Sequence, residues 1–197
     1  MLTRFKRQVQ SLLMIEAKLL HQFGLTPNKI SGIGVLFGVL AGFLYWSSQN
    51  NRIFLIPASI FYLISGFFDA LDGIVARLYG KTTVFGGYLD SLLDRYVDAI
   101  ILVAIISAGL CNLFLGSVTL VGSFLVSYSR SRAEAAGIKM ETIGLAERAE
   151  RTIILIIGSL FATIYLDALN ISVAILGIIT NLTVIQRALH VYRNLKQ

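Results

Sequence analysis

Six apolar stretches, each about the 20 residues needed to cross the hydrocarbon of a bilayer, constrain this chain more than any other feature. They run Lys29 to Ser48, Ile53 to Leu78, Gly86 to Leu110, Leu113 to Arg132, Leu145 to Tyr165 and Ala168 to Val191. With 56% hydrophobic and 14% charged residues among 197, the chain is too apolar for an ordinary soluble domain. The predicted fold class is an all-α integral membrane protein of six transmembrane helices. Prolines number only two and no fixed-period repeat is visible, so the expectation is a single domain over 1–197. Residues 1–25 form its interfacial helix and linker, and 26–197 its six-helix bundle.

The segment before the first span alternates between two characters. Leu2, Phe5, Val9, Leu12, Leu13, Leu19 and Leu20 recur at helical spacing, interleaved with Arg4, Lys6, Arg7 and Lys18. That pattern predicts an amphipathic helix lying in the membrane interface rather than a signal peptide. Thr26-Pro27-Asn28 then reads as a helix start, with Thr26 as N-cap and Pro27 at the first helical position.

Basic residues set the orientation. Arg4, Lys6, Arg7, Lys18 and Lys29 lie near the amino terminus; Arg77, Lys81 and Arg95 at the second-to-third connection; Arg130, Arg132, Lys139, Arg148 and Arg151 at the fourth-to-fifth; and Arg187, Arg193 and Lys196 at the carboxyl end. The opposite connections offer only Arg52. The positive-inside rule then places both termini in the cytoplasm of a multi-pass cell-membrane protein, with Tyr45 and Trp46 at the outer interface. The net charge of +6 gathers on one face, where it would meet anionic lipid or phosphorylated substrates rather than nucleic acid. Cys111, the single cysteine, excludes an intrachain disulfide, and His21 and His190 have no zinc-spaced partners.

Five of the six Asp residues fall between Asp69 and Asp98, at the cytoplasmic ends of two consecutive spans joined by a short Gly-containing turn. Asp69 and Asp72 share one helix face, and Asp90 and Asp94 share a face of the next. If the two helices fold against each other, four carboxylates converge. Unpaired, they would repel strongly at low dielectric, so bound divalent cations are expected, most plausibly two. An all-oxygen set suits Mg²⁺, Mn²⁺ or Ca²⁺ better than zinc. The competing structural reading is a staple of ion pairs to Arg77, Lys81 and Arg95. Asp98 extends the Asp90–Asp94 face by one turn, either as support for the metal site or as a plain helix-end carboxylate.

The pattern Asp69-x-x-Asp72-Gly73-x-x-Ala76-Arg77, eight residues, Gly86-x-x-x-Asp90-x-x-x-Asp94 resembles, at every fixed position, the signature of the CDP-alcohol phosphotransferase family. The resemblance implies six transmembrane helices, a homodimer, and a cytoplasm-facing site. It implies Asp69, Asp72, Asp90 and Asp94 as ligands of Mg²⁺, two ions with Mn²⁺ as substitute, and Asp94 also as general base. Gly73, Ala76 and Arg77 would seat the CDP moiety of the lipid donor. Within the family, Ser127 to Glu134, Glu147 to Arg151, and Gln186-Arg187 resemble the branch that makes phosphatidylinositol phosphate or archaetidylinositol phosphate, whose acceptor is inositol 1-phosphate. Arg130, Arg148 and Arg187 then match its acceptor-phosphate pocket, as planar guanidiniums suit a phosphate dianion. Two departures stand out: Arg130 replaces a usual Lys, and Ala149 replaces the Pro of the bacterial branch.

The alternative for these arginines, and for Arg132 and Arg151, is surface anchoring to anionic lipid. Glu134, Glu147 and Glu150 are expected to partner the arginines, and Asn181 to make an interhelical hydrogen bond. Rival functions are the same chemistry with glycerol phosphate or serine, an ion or solute transporter lined by intramembrane acids, and an inactive scaffold. The transporter reading suffers from having its acids at one face only.

Overall fold

A computed structural model describes residues 14–140, 143–145 and 147–195 of the chain. Among the described residues there is no strand. Helix α1 is seen over 14–22. It is followed by α2 (Pro27–Ser47), a 3-10 turn (Arg52–Phe54), α3 (Leu55–Leu78), α4 (Val84–Ser107), α5 (Leu113–Ala135), α6 (Arg148–Phe161) and α7 (Ala168–Leu195). The expected amphipathic helix lies outside the described residues over 1–13. Its remaining part docks through Ala17, which is buried with Ile30 of α2 and Leu71 and Val75 of α3. Thr26 takes the extended N-cap conformation with Pro27 opening α2, although the Thr26 hydroxyl makes no capping bond.

Among the described residues, four segments are long and apolar enough to cross a membrane: Pro27–Ser47, Arg52–Leu78, Leu113–Ala135 and Ala168–Leu195. The other two expected spans depart for different reasons. Helix α4 has 24 residues but carries Asp90, Asp94 and Arg95 in its first half and Asp98 just past its middle. Helix α6 has only 14 residues, about 21 Å at 1.5 Å per residue, and so falls short of a full span. It starts at Arg148 rather than Leu145, because Glu147 takes the extended N-cap conformation, with ψ at 179°.

Polarity is arranged for lipid. Leu36, Phe43, Leu63, Val121, Ile157 and Ile178 point outward, while Tyr45, Leu55, Ile101, Ile105, Leu169 and Val173 fill the interior. Interior hydroxyls find partners: Tyr45 Oη and Ser159 Oγ are 2.8 Å apart, and Thr119 Oγ1 donates to Val173 O of α7 at 2.8 Å. Asn181 donates to Gly177 O within its own helix at 2.8 Å and reaches Val118 O of α5 at 3.5 Å, so its interhelical bond is the weaker of the two. Burial pushes the Cys111 thiol up to about 11, leaving it a neutral apolar side chain in the α4–α5 turn.

The acid-bearing helices do not pack on each other along their length, as the sequence reading expected. Helix α2 lies against both instead. Its glycines explain how. A Cβ on Gly34 would stand 3.3 Å from Ser65 O of α3, and one on Gly38 would stand 2.8 Å from Val97 Cγ1 of α4. Small residues at this spacing let helix backbones approach closely where lipid provides no hydrophobic drive. The α3–α4 turn is closed at both ends. Gly80 adopts φ +62°, which lets Lys81 N–H reach Ala76 O at 2.9 Å, and Thr83 Oγ1 caps α4 by accepting from Gly86 N–H at 2.9 Å.

Candidate active site

Because α2 holds α3 and α4 in register, carboxylates from the two acid-bearing helices meet. Ligand oxygens of Asp69, Asp72 and Asp90 all lie within 4.8 Å of one another, in a set that could hold a metal ion. Asp72 is buried, and Asp69 and Asp90 are half-buried. Asp72 Oδ2 accepts a 2.5 Å hydrogen bond from Ser31 Oγ of α2. Ser31 was not singled out in the sequence. Its signal was there, since Ser31, Gly34 and Gly38 share one face of α2 and the Ser sits at the acid end.

Asp94 stands beside this trio, and the four acids line one small cleft with Ser31, Ser65 and Arg148. Arg148 NH1 reaches Asp69 Oδ2 at 2.6 Å and Asp94 Oδ1 at 2.7 Å, and Asp94 Oδ2 also lies 3.5 Å from Arg95 NH1. The staple of ion pairs weighed from sequence takes a different form. Arg95 joins it weakly, Arg77 and Lys81 make no ion pair among the described residues, and the principal cation comes from α6. Arg148 Nε further bonds Asp98 Oδ1 at 3.3 Å, so one guanidinium touches three carboxylates.

Two cavities open from the acids. The first, of about 200 Å³, is lined by Asp72, Gly73, Ala76, Arg77, Gly86 and Asp90, with Asn28, Ser31, Lys81 and Thr83 completing it. It therefore gathers all three residues expected to seat the CDP moiety. Gly73 leaves room for Arg77, whose NH1 would stand 3.2 Å from a Cβ there. The second, of about 320 Å³, is lined by Asp69, Asp94, Asp98, Ser127, Glu147 and five arginines, Arg95, Arg130, Arg148, Arg151 and Arg187. Asp72 and Asp90 face one cavity while Asp69 and Asp94 face the other, which puts the carboxylate cluster at their junction.

The arginines are held in different ways. Arg130 is exposed and pairs with Glu134 at 2.8 Å. Arg187 is buried and donates from Nε to Ile143 O at 2.9 Å and from NH1 to Val126 O at 2.5 Å. Arg151 is buried too, bonds Asp98 through NH2 at 3.3 Å, and has no hydrogen-bond partner for NH1 among the described residues. Arg132 is exposed and belongs to neither cavity. Of the three glutamates expected to partner arginines, only Glu134 does. Glu147 serves as the N-cap residue of α6 without a capping bond, and neither it nor Glu150 makes an ion pair among the described residues.

Comparison with known proteins gives a consistent result. Residues 24–186 match the family model for CDP-alcohol phosphatidyltransferases. The chain is 41% identical over 196 residues to the archaetidylinositol phosphate synthase of Pyrococcus horikoshii, covering 100% of this chain and 99% of that one. It is 44% identical over 146 residues to the archaetidylinositol phosphate synthase of Methanothermobacter thermautotrophicus, covering 72% and 73% of the two chains. Crystal structures of Mycobacterium tuberculosis phosphatidylinositol phosphate synthase superpose with a TM-score of 0.80 at 26% identity. The one with CDP-DAG bound matches 92% of this chain and 94% of its own, and the one in complex with manganese and citrate matches 91% and 88%.

Proposed function

Because the chain belongs to the CDP-alcohol phosphatidyltransferase family, we propose that it transfers a phosphatidyl-type group, diacylglycerol phosphate or archaeol phosphate, from a CDP-lipid to inositol 1-phosphate. CMP is released. The observation that carries this reading is the junction of two cavities at one carboxylate cluster. One holds the Gly73, Ala76 and Arg77 set, and the other is lined by five arginines.

The donor set suits a hard divalent cation, since it is all oxygen and partly withdrawn from water. Asp69, Asp72 and Asp90 would hold Mg²⁺, with Asp94 adjoining and two ions as the expected complement; the relative seen with manganese supports Mn²⁺ as a substitute. Bound there, the ions supply the positive charge that neutralises the donor's diphosphate. Arg77 and Lys81 add cationic charge on the nucleotide side. On the other side, Arg130, Arg148, Arg151 and Arg187 bind the acceptor's phosphate and orient its hydroxyl toward the junction. Asp94 accepts the hydroxyl proton, the oxygen forms a bond to the lipid-bearing phosphorus, and the bond from that phosphorus to the CMP oxygen breaks. Arg148 borders both the acids and the acceptor cavity, so it links metal binding to acceptor binding.

The protein acts in the cell membrane as a six-span homodimer with its active site and both termini in the cytoplasm. The support is the gathering of basic residues at the acid end of the bundle. At the opposite end the three turns around Arg52, Cys111 and Asp167 border one cavity with a single Lys or Arg. Helix α4 can carry its charges within the bundle because Asp94 and Asp98 pair with Arg148 and Arg151 of α6.

The test is CMP release by purified protein with Mg²⁺ and a CDP-lipid, offered inositol 1-phosphate, glycerol 3-phosphate or serine, with Asp94→Asn as control. Release that depends on inositol phosphate and disappears in the variant is expected. Release with another acceptor alone would refute the acceptor assignment, and undiminished release in the variant would refute Asp94 as base.

A further inference from the structure

We propose that Asp98 is a positioning residue that mounts Arg148 and Arg151 as a paired cationic surface for the acceptor's phosphate; this rests on reading the arginine-lined cavity as the acceptor site. Asp98 lies one helical turn beyond the last Asp of the family signature and outside the Asp69, Asp72 and Asp90 trio, with both of its oxygens taken by guanidiniums. Its two oxygens are divided between two cations. Oδ1 accepts from Arg148 Nε and Oδ2 from Arg151 NH2, both at 3.3 Å, with the Asp98 side chain only 17% exposed.

The arrangement answers an electrostatic problem. Arg148 and Arg151 are three residues apart on α6 and so share a face. Two like charges held together away from water repel, and that repulsion must be met before a ligand arrives. A carboxylate bridging them offsets it and fixes the rotamers of both side chains. Each guanidinium gives one edge to Asp98. Arg151, 8% exposed, lines the acceptor cavity, and its NH1 is buried without a hydrogen-bond partner among the described residues. Leaving a buried charged donor unbonded is costly, and a phosphate oxygen that reached NH1 would supply an acceptor. Asp98 thus acts on the substrate through the arginines, as second partners of metal-binding histidines act through their ligands.

The experiment compares Asp98→Asn with the parent enzyme, measuring the KM for inositol 1-phosphate, the KM for CDP-lipid, kcat, and thermal unfolding in detergent. Expected is a rise of about tenfold or more in the acceptor KM, with kcat, donor KM and unfolding temperature near parental values. An unchanged acceptor KM overturns the inference while leaving the acceptor reading intact. So does a uniform loss of kcat and stability, which would make Asp98 structural. A parent enzyme that used glycerol 3-phosphate instead would refute the acceptor reading separately. The same KM split, measured with that phosphorylated acceptor, would still decide the role of Asp98.

Discussion

Substituting Gly38 by Ala tests whether α2 is the spacer that brings the two acid-bearing helices together. The new Cβ would lie 2.8 and 2.9 Å from the two methyls of Val97 on α4 and 3.1 Å from Ser65 Oγ on α3. Carbon atoms prefer separations of about 3.5–4.0 Å, so α2 and α4 must part by roughly 0.7 Å or Val97 must leave its rotamer. Val97 is only 2% exposed and packed on all sides. Overpacking of this kind costs about 1–3 kcal/mol. Val97→Ala alone deletes two buried methyls at a cost of about 1–2.5 kcal/mol. Together the two changes should be milder than their sum by about 1–2 kcal/mol, because the truncated side chain makes room for the new one. Reversible unfolding in mixed micelles would measure all four corners of the cycle. Mn²⁺ binding, followed by the loss of the free-ion electron paramagnetic resonance signal, should weaken in Gly38→Ala and recover in the double variant, because Asp90 and Asp94 ride on α4. Additivity to within about 0.5 kcal/mol, or metal affinity indifferent to Gly38→Ala, would refute the spacer argument.

Ser31→Ala removes the hydroxyl bonded to Asp72 and is expected to lower Mn²⁺ affinity by about tenfold, read by the same titration. Arg148→Met removes the cation shared by Asp69, Asp94 and Asp98. Truncating one member of a buried charge pair costs about 2–5 kcal/mol, so kcat/KM for the acceptor should fall by roughly 30-fold or more. Mn²⁺ binding should persist, because the carboxylates lose a competitor for their oxygens, and a parental acceptor kcat/KM would contradict the linking role given to Arg148.

Much of the site was legible before any fold was known. Asp69, Asp72, Asp90 and Asp94 announced themselves through helical spacing, and the glycines and Arg77 through position in the signature, because each element carries its own part of the pattern. Ser31 and Asp98 were harder. Ser31 shares a face of α2 with Gly34 and Gly38, but only the fold shows Asp72 as its partner, and Asp98 reads equally as support for the metal site or as a helix-end carboxylate until two guanidiniums flank it. Glu147 and Glu150 make no ion pair among the described residues for the same reason, since nearness in sequence to arginines does not decide which way a guanidinium turns.

What the sequence determined by itself is the set of properties that repeat along one helix: apolar length, the gathering of charge at one end, and which acids share a face. These depend only on the 1.5 Å rise and 3.6-residue turn of a single element. Tertiary structure decided what depends on the distance between elements. It set α2 rather than the α3–α4 turn as the bridge between the acids, shortened α6 to 14 residues, and divided four carboxylates between two cavities. Those outcomes follow from close packing, where a missing Cβ at Gly34 or Gly38 admits a neighbouring helix, and periodicity within one helix carries no record of which neighbour that will be.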